Sequence, residues 1–347
     1  MSTPTKQKAL FLLEKHGQFA VRDRDVPTPK PGELLIKNET SSLNPIDWKT
    51  QDFGMFVTNY PAVIGSEGAG TIEAVGEGVT DLKKGDRVLY RAIAVINDWA
   101  AYQQYTLSNP QNVAKIPEGI SFDEAATLPT ALVSSAVALY SQPGAGEYVP
   151  PWAEGGKGKY AGQPLVIIGG SSVIGSGAIQ WGRLSGFSPI ITTASLKNTE
   201  LLKSYGATHV LDRNLSVDAT REEVKKIIGG LPSFVFDPVS LPETQTLGYE
   251  LLAPGGRLFI ILLDSIKEKT EGRTVTFAPV AARLQQDPQF NLDLFKAITA
   301  YLESGEIKPL KAEVLPGGLA GVVSGVEKLR NNQVSGTKLI VHPQETA

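Results

Sequence analysis

The chemistry most legible in this chain lies between residues 165 and 175. The apolar run Leu165-Val166-Ile167-Ile168 reads as a strand buried on both faces, and it leads directly into Gly169-Gly170-Ser171-Ser172-Val173-Ile174-Gly175, with a helix beginning near Gly175. Gly170, Ser172 and Gly175 occupy the three glycine positions of G-x-G-x-x-G, with serine in the middle slot. Small residues there permit a tight turn, let a pyrophosphate approach the backbone and aim helix N-terminal N–H groups at the anion. The segment therefore predicts a dinucleotide site built from Gly169, Gly170, Ser171, Ser172, Val173, Ile174 and Gly175. The plain alternative is a structural strand-to-helix turn. About 20 residues further on, an Asp or Glu would hold a ribose 2′-hydroxyl. This chain has Thr192-Thr193-Ala194-Ser195-Leu196-Lys197 instead. A hydroxyl and an ammonium suit a phosphate dianion by charge-assisted hydrogen bonding, so Ser195 and Lys197, with Arg213 after the third strand, predict NADPH rather than NADH.

Composition removes other chemistries. There is no cysteine among the 347 residues, which excludes thiolate nucleophiles, disulfides and cysteine-ligated zinc. His16, His209 and His342 lie far apart, so a transition metal would have to rest mainly on carboxylates, and no metal is expected. The 33 basic and 36 acidic residues nearly balance, giving no electrostatic reason to expect nucleic acid or an anionic membrane as partner. The apolar runs Ala9 to Leu13 and Leu258 to Leu263 are too short for a signal core or a membrane span. The C-terminal Gln-Glu-Thr-Ala is neither a peroxisomal nor an ER-retention ending, and the expected address is cytoplasmic.

The elements that must position these residues fall into two patterns. Short extended pieces at Ala9 to Leu13, Gly32 to Asn38, Ile64 to Val75, Asp86 to Arg91 and Ala101 to Leu107, separated by turn signals, predict a β-barrel-like unit. Ser121 to Glu124 offers a helix cap with an acidic first turn, before an apolar helical stretch from Ala125 to Tyr140 interrupted by Pro129. A proline- and glycine-rich loop, Gln142 to Gln163, follows; an exposed Trp152 there would serve an interface or a lid. Strands and helices then alternate. Strands are expected at Pro189 to Thr193, His209 to Leu211, Phe234 to Phe236 and Arg257 to Leu263. Helices are expected at Ala178 to Leu184, Thr199 to Tyr205, Arg221 to Ile228 and Pro242 to Leu252. That order predicts an α/β, doubly wound parallel sheet. A helix from Leu292 to Ser304 and a strand from Lys338 to Val341 come last, the tail returning to the first domain. The expected domains are 1–122 with 292–347, and 123–291 for the dinucleotide.

Several stretches together resemble the medium-chain dehydrogenase/reductase superfamily over nearly the whole chain. They are Asn44-Pro-Ile-Asp-Trp-Lys49, Pro61-Ala-Val-Ile-Gly-Ser-Glu-Gly-Ala-Gly70, Val75-Gly-Glu-Gly78, Gly85-Asp-Arg-Val88, the turn at 169–175 and Tyr205-Gly-Ala-Thr-His-Val210. The resemblance implies a GroES-like catalytic domain at both ends of the chain and a Rossmann domain between. It is strongest to the zinc-independent fungal branch: trans-enoyl reductases that partner polyketide synthases, the CipB-like proteins and related quinone oxidoreductases. Zinc members carry a cysteine near Asn44 to Asp47 and a histidine where this chain has Ser66 in Gly65-Ser66-Glu67.

The resemblance further implies that Lys49 and Thr130 line the active site, as donors where an oxyanion develops. It implies that Asn44 and Asp47 hold their loop and, with Trp48 and Phe53, line a substrate pocket that Phe56 and Trp99 also wall, and that Asp237, Leu262 and Lys338 meet the cofactor. The expected function is NADPH-dependent hydride transfer to an activated C=C bond without zinc. A quinone reductase of the same fold is the first alternative, and a catalytically silent, nucleotide-responsive binding protein is the second. The expected partner is a small electron-poor alkene or quinone, and the expected state a monomer or homodimer.

Overall fold

Turn chemistry and half-buried strands build the N-terminal part of the chain. The computed structural model describes residues 3–94, 96–141, 145–270, 272–277 and 279–347, so the first three residues of the loop expected at 142–163 lie outside the described residues. Its first elements are β1 (Lys6–Leu12), β2 (Phe19–Asp25), β3 (Leu34–Ser42), α1 (Pro45–Phe53), β4 (Ala62–Val63), β5 (Glu67–Val75), β6 (Arg87–Arg91), β7 (Tyr105–Ser108) and β8 (Val113–Lys115). β2 and α1 are not among the elements expected from the sequence. The β2 strand was not expected, because Arg22-Asp23-Arg24-Asp25 is a charged and mostly exposed stretch; it is held by its antiparallel ladder with β1. The α1 helix has little apolar periodicity and is defined by its ends. The Asn44 backbone N–H donates to Asp47 Oδ2 (2.7 Å), Pro45 opens the first turn, and Gly54 takes a left-handed φ of 63° with its N–H on Thr50 O.

The next pieces are α2 (Phe122–Ala126), α3 (Pro129–Tyr140), β9 (Leu165–Ile168), α4 (Val173–Leu184), β10 (Ile190–Ala194), α5 (Thr199–Tyr205), β11 (His209–Asp212) and α6 (Val217–Ile228). Ser121 caps α2, its Oγ accepting from Glu124 N while the Glu124 carboxylate accepts from Ser121 N. Pro129 does more than interrupt one helix: α2 ends at Ala126 and proline opens a separate helix, a position where its missing N–H costs nothing. The chain ends with β12 (Phe234–Asp237), α7 (Pro242–Glu250), β13 (Arg257–Ile260), β14 (Thr274–Phe277), α8 (Val280–Gln286), α9 (Pro288–Glu303), β15 (Ala312–Val314), α10 (Gly321–Arg330) and β16 (Lys338–Val341). The sequence reading had not assigned β14, α8, β15 or α10.

Two compact units result. The first comprises the residues up to Thr130, Phe295–Gly305 and Pro309–Ala347; the second comprises Ala131–Leu294 and Glu306–Lys308. In the first, a seven-stranded sheet runs β15-β16-β3-β5-β6-β8, with β7 also on β3, and a three-stranded sheet runs β2-β1-β4. The tail does return: β16 pairs antiparallel with β3, Ile340 against Ser42 and Val341 against Ser41. Its core includes Leu10, Leu43, Val63, Tyr102, Val322, Leu339 and Val341.

In the second unit a six-stranded parallel sheet has the order β11-β10-β9-β12-β13-β14. Every residue of β9 is buried, as its unbroken apolar run demands. Val166, Ile168, Ile191, Val235, Leu258 and Ile260 pack with Val224 and Tyr249 from α6 and α7. The direction of strand order reverses between β9 and β12, the switch point at which such sheets bind ligands beyond their carboxyl ends.

Trp152 is half-buried in this same unit. Its ring meets Tyr140 (5.3 Å) and Trp181 (5.2 Å) edge-on and lies 5.8 Å from Phe290. An exposed lid or interface role is replaced by packing, and Tyr148 and Tyr160 hold the same loop through Phe187 and Phe234.

Candidate active site

The turn after β9 lies at the switch point. Gly169 has φ 79°, a left-handed conformation that glycine adopts without strain. A Cβ on Gly170 would run into Thr192 Oγ1, and one on Gly175 into the Gly169 carbonyl oxygen, so the backbone closes on itself more tightly than a side chain allows. Ser172 caps α4, its Oγ accepting from Gly175 N at 3.0 Å, so the helix starts at Val173, two residues before the sequence expectation. The Gly169 N–H donates to Thr193 Oγ1 (3.0 Å) and Ser176 Oγ donates to Gly170 O (3.0 Å). Ser171, Ser172, Val173 and Ile174 remain partly exposed. The first-turn N–H groups of a helix have no partner within it, so this is a cradle of the kind a pyrophosphate fills.

Ser195, Lys197 and Arg213 come together at the neighbouring carboxyl ends of β10 and β11. Ala194 and Asp212 are in register, and the Arg213 N–H donates to Ala194 O at 2.9 Å. Ser195 is half-buried while Lys197 and Arg213 are exposed, and among the described residues neither cation forms an ion pair. The Asp212 carboxylate turns to its own loop, accepting from Asn214 N at 3.0 Å.

Asp237, expected at the cofactor, is buried and fully engaged. It accepts from Val239 N and Ser240 N (both 2.9 Å) and from the Thr244 hydroxyl (2.8 Å). Burial pushes its carboxyl up to about 6 against the pull of those bonds. It shapes the loop after β12, where Ser240 holds φ 56° and its Oγ accepts from Ile261 N, next to the half-buried Leu262.

In the first unit the structure gathers a polar cluster that the sequence reading saw only in pieces. Glu67 is 0% exposed and accepts from three donors: Asn44 Nδ2 (2.7 Å) and Lys338 Nζ (2.5 Å) on Oε1, and the Thr130 backbone N–H (2.6 Å) on Oε2. Lys338, 1% exposed, also donates to Asn44 Oδ1 at 2.6 Å. Its amine is thus occupied by Glu67 and Asn44, a partner set that motif position alone did not reveal. Asp47 is buried beside it, accepting from the Tyr102 hydroxyl (2.5 Å) as well as from Asn44 N. Burial raises its carboxyl to about 6, although Tyr102, Asn44 and Lys338 all favour the charged form. Asn44 and Asp47, both buried, therefore brace the start of α1, a stretch that reads as a loop in the sequence.

Lys49 and the aromatic residues sit differently. Lys49 is half-buried, its ammonium 5.6 Å from the Trp48 ring centroid, and burial pulls it below its ordinary value. Among the described residues no carboxylate pairs with it. Trp48 stands 5.8 Å from Phe53, and Phe53 and Phe56 are 60% and 62% exposed. Trp99 packs with Leu35, Tyr105 and Leu107, which is core packing, not a pocket wall. Thr130 is partly exposed and places its N–H on Glu67 at the start of α3.

Family models match twice: the alcohol dehydrogenase GroES-like domain over residues 30–133 and the zinc-binding dehydrogenase domain over residues 173–283. Dehydrogenase orsE of Emericella nidulans is 30% identical over 354 residues, covering 96% of this chain and 98% of the relative. Trans-enoyl reductase grgB of a Penicillium species is 28% identical over 360 residues, covering 97% and 98%. A quinone oxidoreductase structure from Pseudomonas syringae pv. tomato has TM-score 0.77 at 21% identity, covering 96% and 99%, a likeness of fold. The chain belongs to the medium-chain dehydrogenase/reductase superfamily, on the branch of the fungal trans-enoyl reductases. It is a reductase of that superfamily, with a GroES-like unit and a Rossmann unit whose glycine turn fits a nicotinamide dinucleotide.

The residues do not fit the zinc ion named in one of those models. By the resemblance the ligand positions fall within Asn44–Asp47 and at Ser66, and Glu67 Oε1 already carries an ammonium and an amide. An amide, a hydroxyl and a carboxylate saturated by a cation do not make a zinc donor set. Among the described residues no three His, Cys, Asp or Glu side chains cluster to hold a metal, and no helix is long and apolar enough to cross a membrane.

Proposed function

We propose that this chain uses NADPH to reduce an electron-poor C=C bond, as in a 2-enal, an enone or an enoyl thioester, without a metal ion. The observation that carries the reading is Lys49: a half-buried ammonium with no carboxylate partner among the described residues, in the unit whose buried Glu67 is already paired with Lys338. The nicotinamide, when bound, supplies the hydride.

The chain's own residues do the rest. The first turn of α4 binds the pyrophosphate, while Ser195, Lys197 and Arg213 take the 2′-phosphate that distinguishes NADPH. Hydride arriving at a β-carbon moves the double-bond electrons toward the carbonyl oxygen, and a solvent proton at the α-carbon completes the reduction. Lys49 donates to that oxygen, with the Thr130 hydroxyl as a second donor; a preorganised donor of this kind is worth about 3 kcal/mol. A reduced quinone would place the same phenolate charge on Lys49, which keeps a quinone acceptor as the second reading.

The test incubates chelator-treated protein with NADPH and, separately, a 2-enal, a p-quinone and a simple aldehyde, with product identification. Conversion of the enal to the saturated aldehyde supports the proposal. Reduction of the quinone alone favours the second reading. Reduction of the aldehyde alone, and only after zinc is restored, overturns both, and tight NADPH binding without turnover of any acceptor marks a binding protein.

A further inference from the structure

Arg91 closes β6 and stands directly opposite Glu67 at the start of β5. Directly opposed residues on antiparallel strands project to one face of the sheet, so guanidinium and carboxylate share that face. No bond forms between them: Glu67 accepts from Lys338 and Asn44 on Oε1 and from the Thr130 N–H on Oε2. Among the described residues the Arg91 side chain has no hydrogen bond and no ion pair. It is nevertheless half-buried, and burial pulls the guanidinium below its ordinary value while Glu67 pulls the other way.

An arginine keeps its proton under such conditions and brings five N–H donors in a planar fork. A charge drawn this far from water is normally given an acceptor. Among the described residues none is supplied, and the carboxylate opposite is already paired with Lys338. Lys49 adds a second unpaired cation to the same unit. A single developing oxygen suits the lone ammonium of Lys49. A fork instead matches a planar anion with two oxygens, present before the reaction begins.

We propose that Arg91 is a specificity residue that binds a carboxylate on the acceptor through both arms of its guanidinium, so that the preferred substrates are electron-poor alkenes bearing a carboxylate group. The substrate class rests on the reductase reading above; the binding of the carboxylate does not.

The experiment therefore has two arms. In the first, kcat/KM with NADPH is compared for 4-oxopent-2-enoate and its methyl ester, in wild type, Arg91→Lys and Arg91→Met. Wild type favours the acid, the preference residing in KM, and Arg91→Met lowers the acid-to-ester ratio about tenfold to a hundredfold, with Arg91→Lys between. In the second, calorimetry follows binding of the saturated 4-oxopentanoate, which needs no turnover of a double bond. Wild type binds it and Arg91→Met, shown by circular dichroism and melting to be folded, loses it. An acid-to-ester ratio near one in wild type, or a ratio that survives in Arg91→Met, overturns the proposal. So does a loss confined to kcat, which would make Arg91 an oxyanion donor. If neither acceptor is reduced but 4-oxopentanoate binds in an Arg91-dependent way, the reductase reading fails and the carboxylate site stands.

Discussion

Lys338 Nζ lies 2.5 Å from Glu67 Oε1, joining the last strand of the chain to the strand that follows the glycine at position 65. Neither side chain reaches solvent, and Asn44 bridges the two by accepting from the lysine and donating to the glutamate. Breaking such a pair is costly because the charge left behind stays buried. Lys338→Met should therefore destabilise the protein by about 3–5 kcal/mol in denaturant unfolding. The double variant Glu67→Gln/Lys338→Met should recover most of that loss; equal stability of Lys338→Met and wild type would show that the pair holds nothing together.

Lys49→Ala removes the donor assigned to the developing oxyanion. The expected loss in kcat is about 10²–10³-fold for a 2-enal. NADPH affinity, followed by nicotinamide fluorescence, should stay at its wild-type value, since the cofactor turn belongs to other residues. A variant that turns over at the wild-type rate removes Lys49 from the chemistry.

Lys197→Glu places a carboxylate at the end of β10. It should weaken NADPH by roughly 10- to 100-fold and leave NADH less affected, because a charge-assisted bond is replaced by repulsion. Dissociation constants for both cofactors check this. Parallel losses for the two would mean that Lys197 does not meet the 2′-phosphate.

Asp47 carries a pH dependence of defined sign. Its carboxyl is raised to about 6 in the folded protein, with burial the largest cause, so the folded chain holds this proton where the unfolded chain releases it. That contribution is complete below the ordinary carboxylate value near 3.8, declines as pH rises, and is gone above about 6. Wild type should lose stability relative to Asp47→Asn over that interval, by about 3 kcal/mol. Asp237, raised in the same direction, is common to both proteins and cancels. A stability difference flat from pH 4 to 7 would contradict the assignment.

The parts of this molecule legible in the sequence are those whose cause is local. The run from Leu165 to Gly175 carries its own apolar signature, its small residues and its cap, so strand, turn and helix follow without reference to the rest of the chain. Pro129 reads from the sequence as a break in one helix, and the structure makes it the start of a second. The buried cluster is not local: Asn44, Glu67 and Lys338 meet only because β3 pairs with both β5 and β16. A lysine in Gly-Thr-Lys-Leu looks the same on paper whether it faces a phosphate or a carboxylate, and pairing decides. Arg91 was invisible for the same reason, since its significance comes from lying opposite Glu67. Charged β2 and short α1 hide because ladder and caps, not hydrophobic periodicity, define them.

The C-terminal position of β16 also governs the order in which this chain can become itself during synthesis. All six strands of the second unit have been made by Phe277. The first unit lacks β15 and β16 until residues 312–341 have been made. Domains usually mature from the N-terminus onward as translation proceeds. Here the strands of the second unit are all made before β15 and β16 of the first, and Glu67, made early, has its cation only once Lys338 has been made.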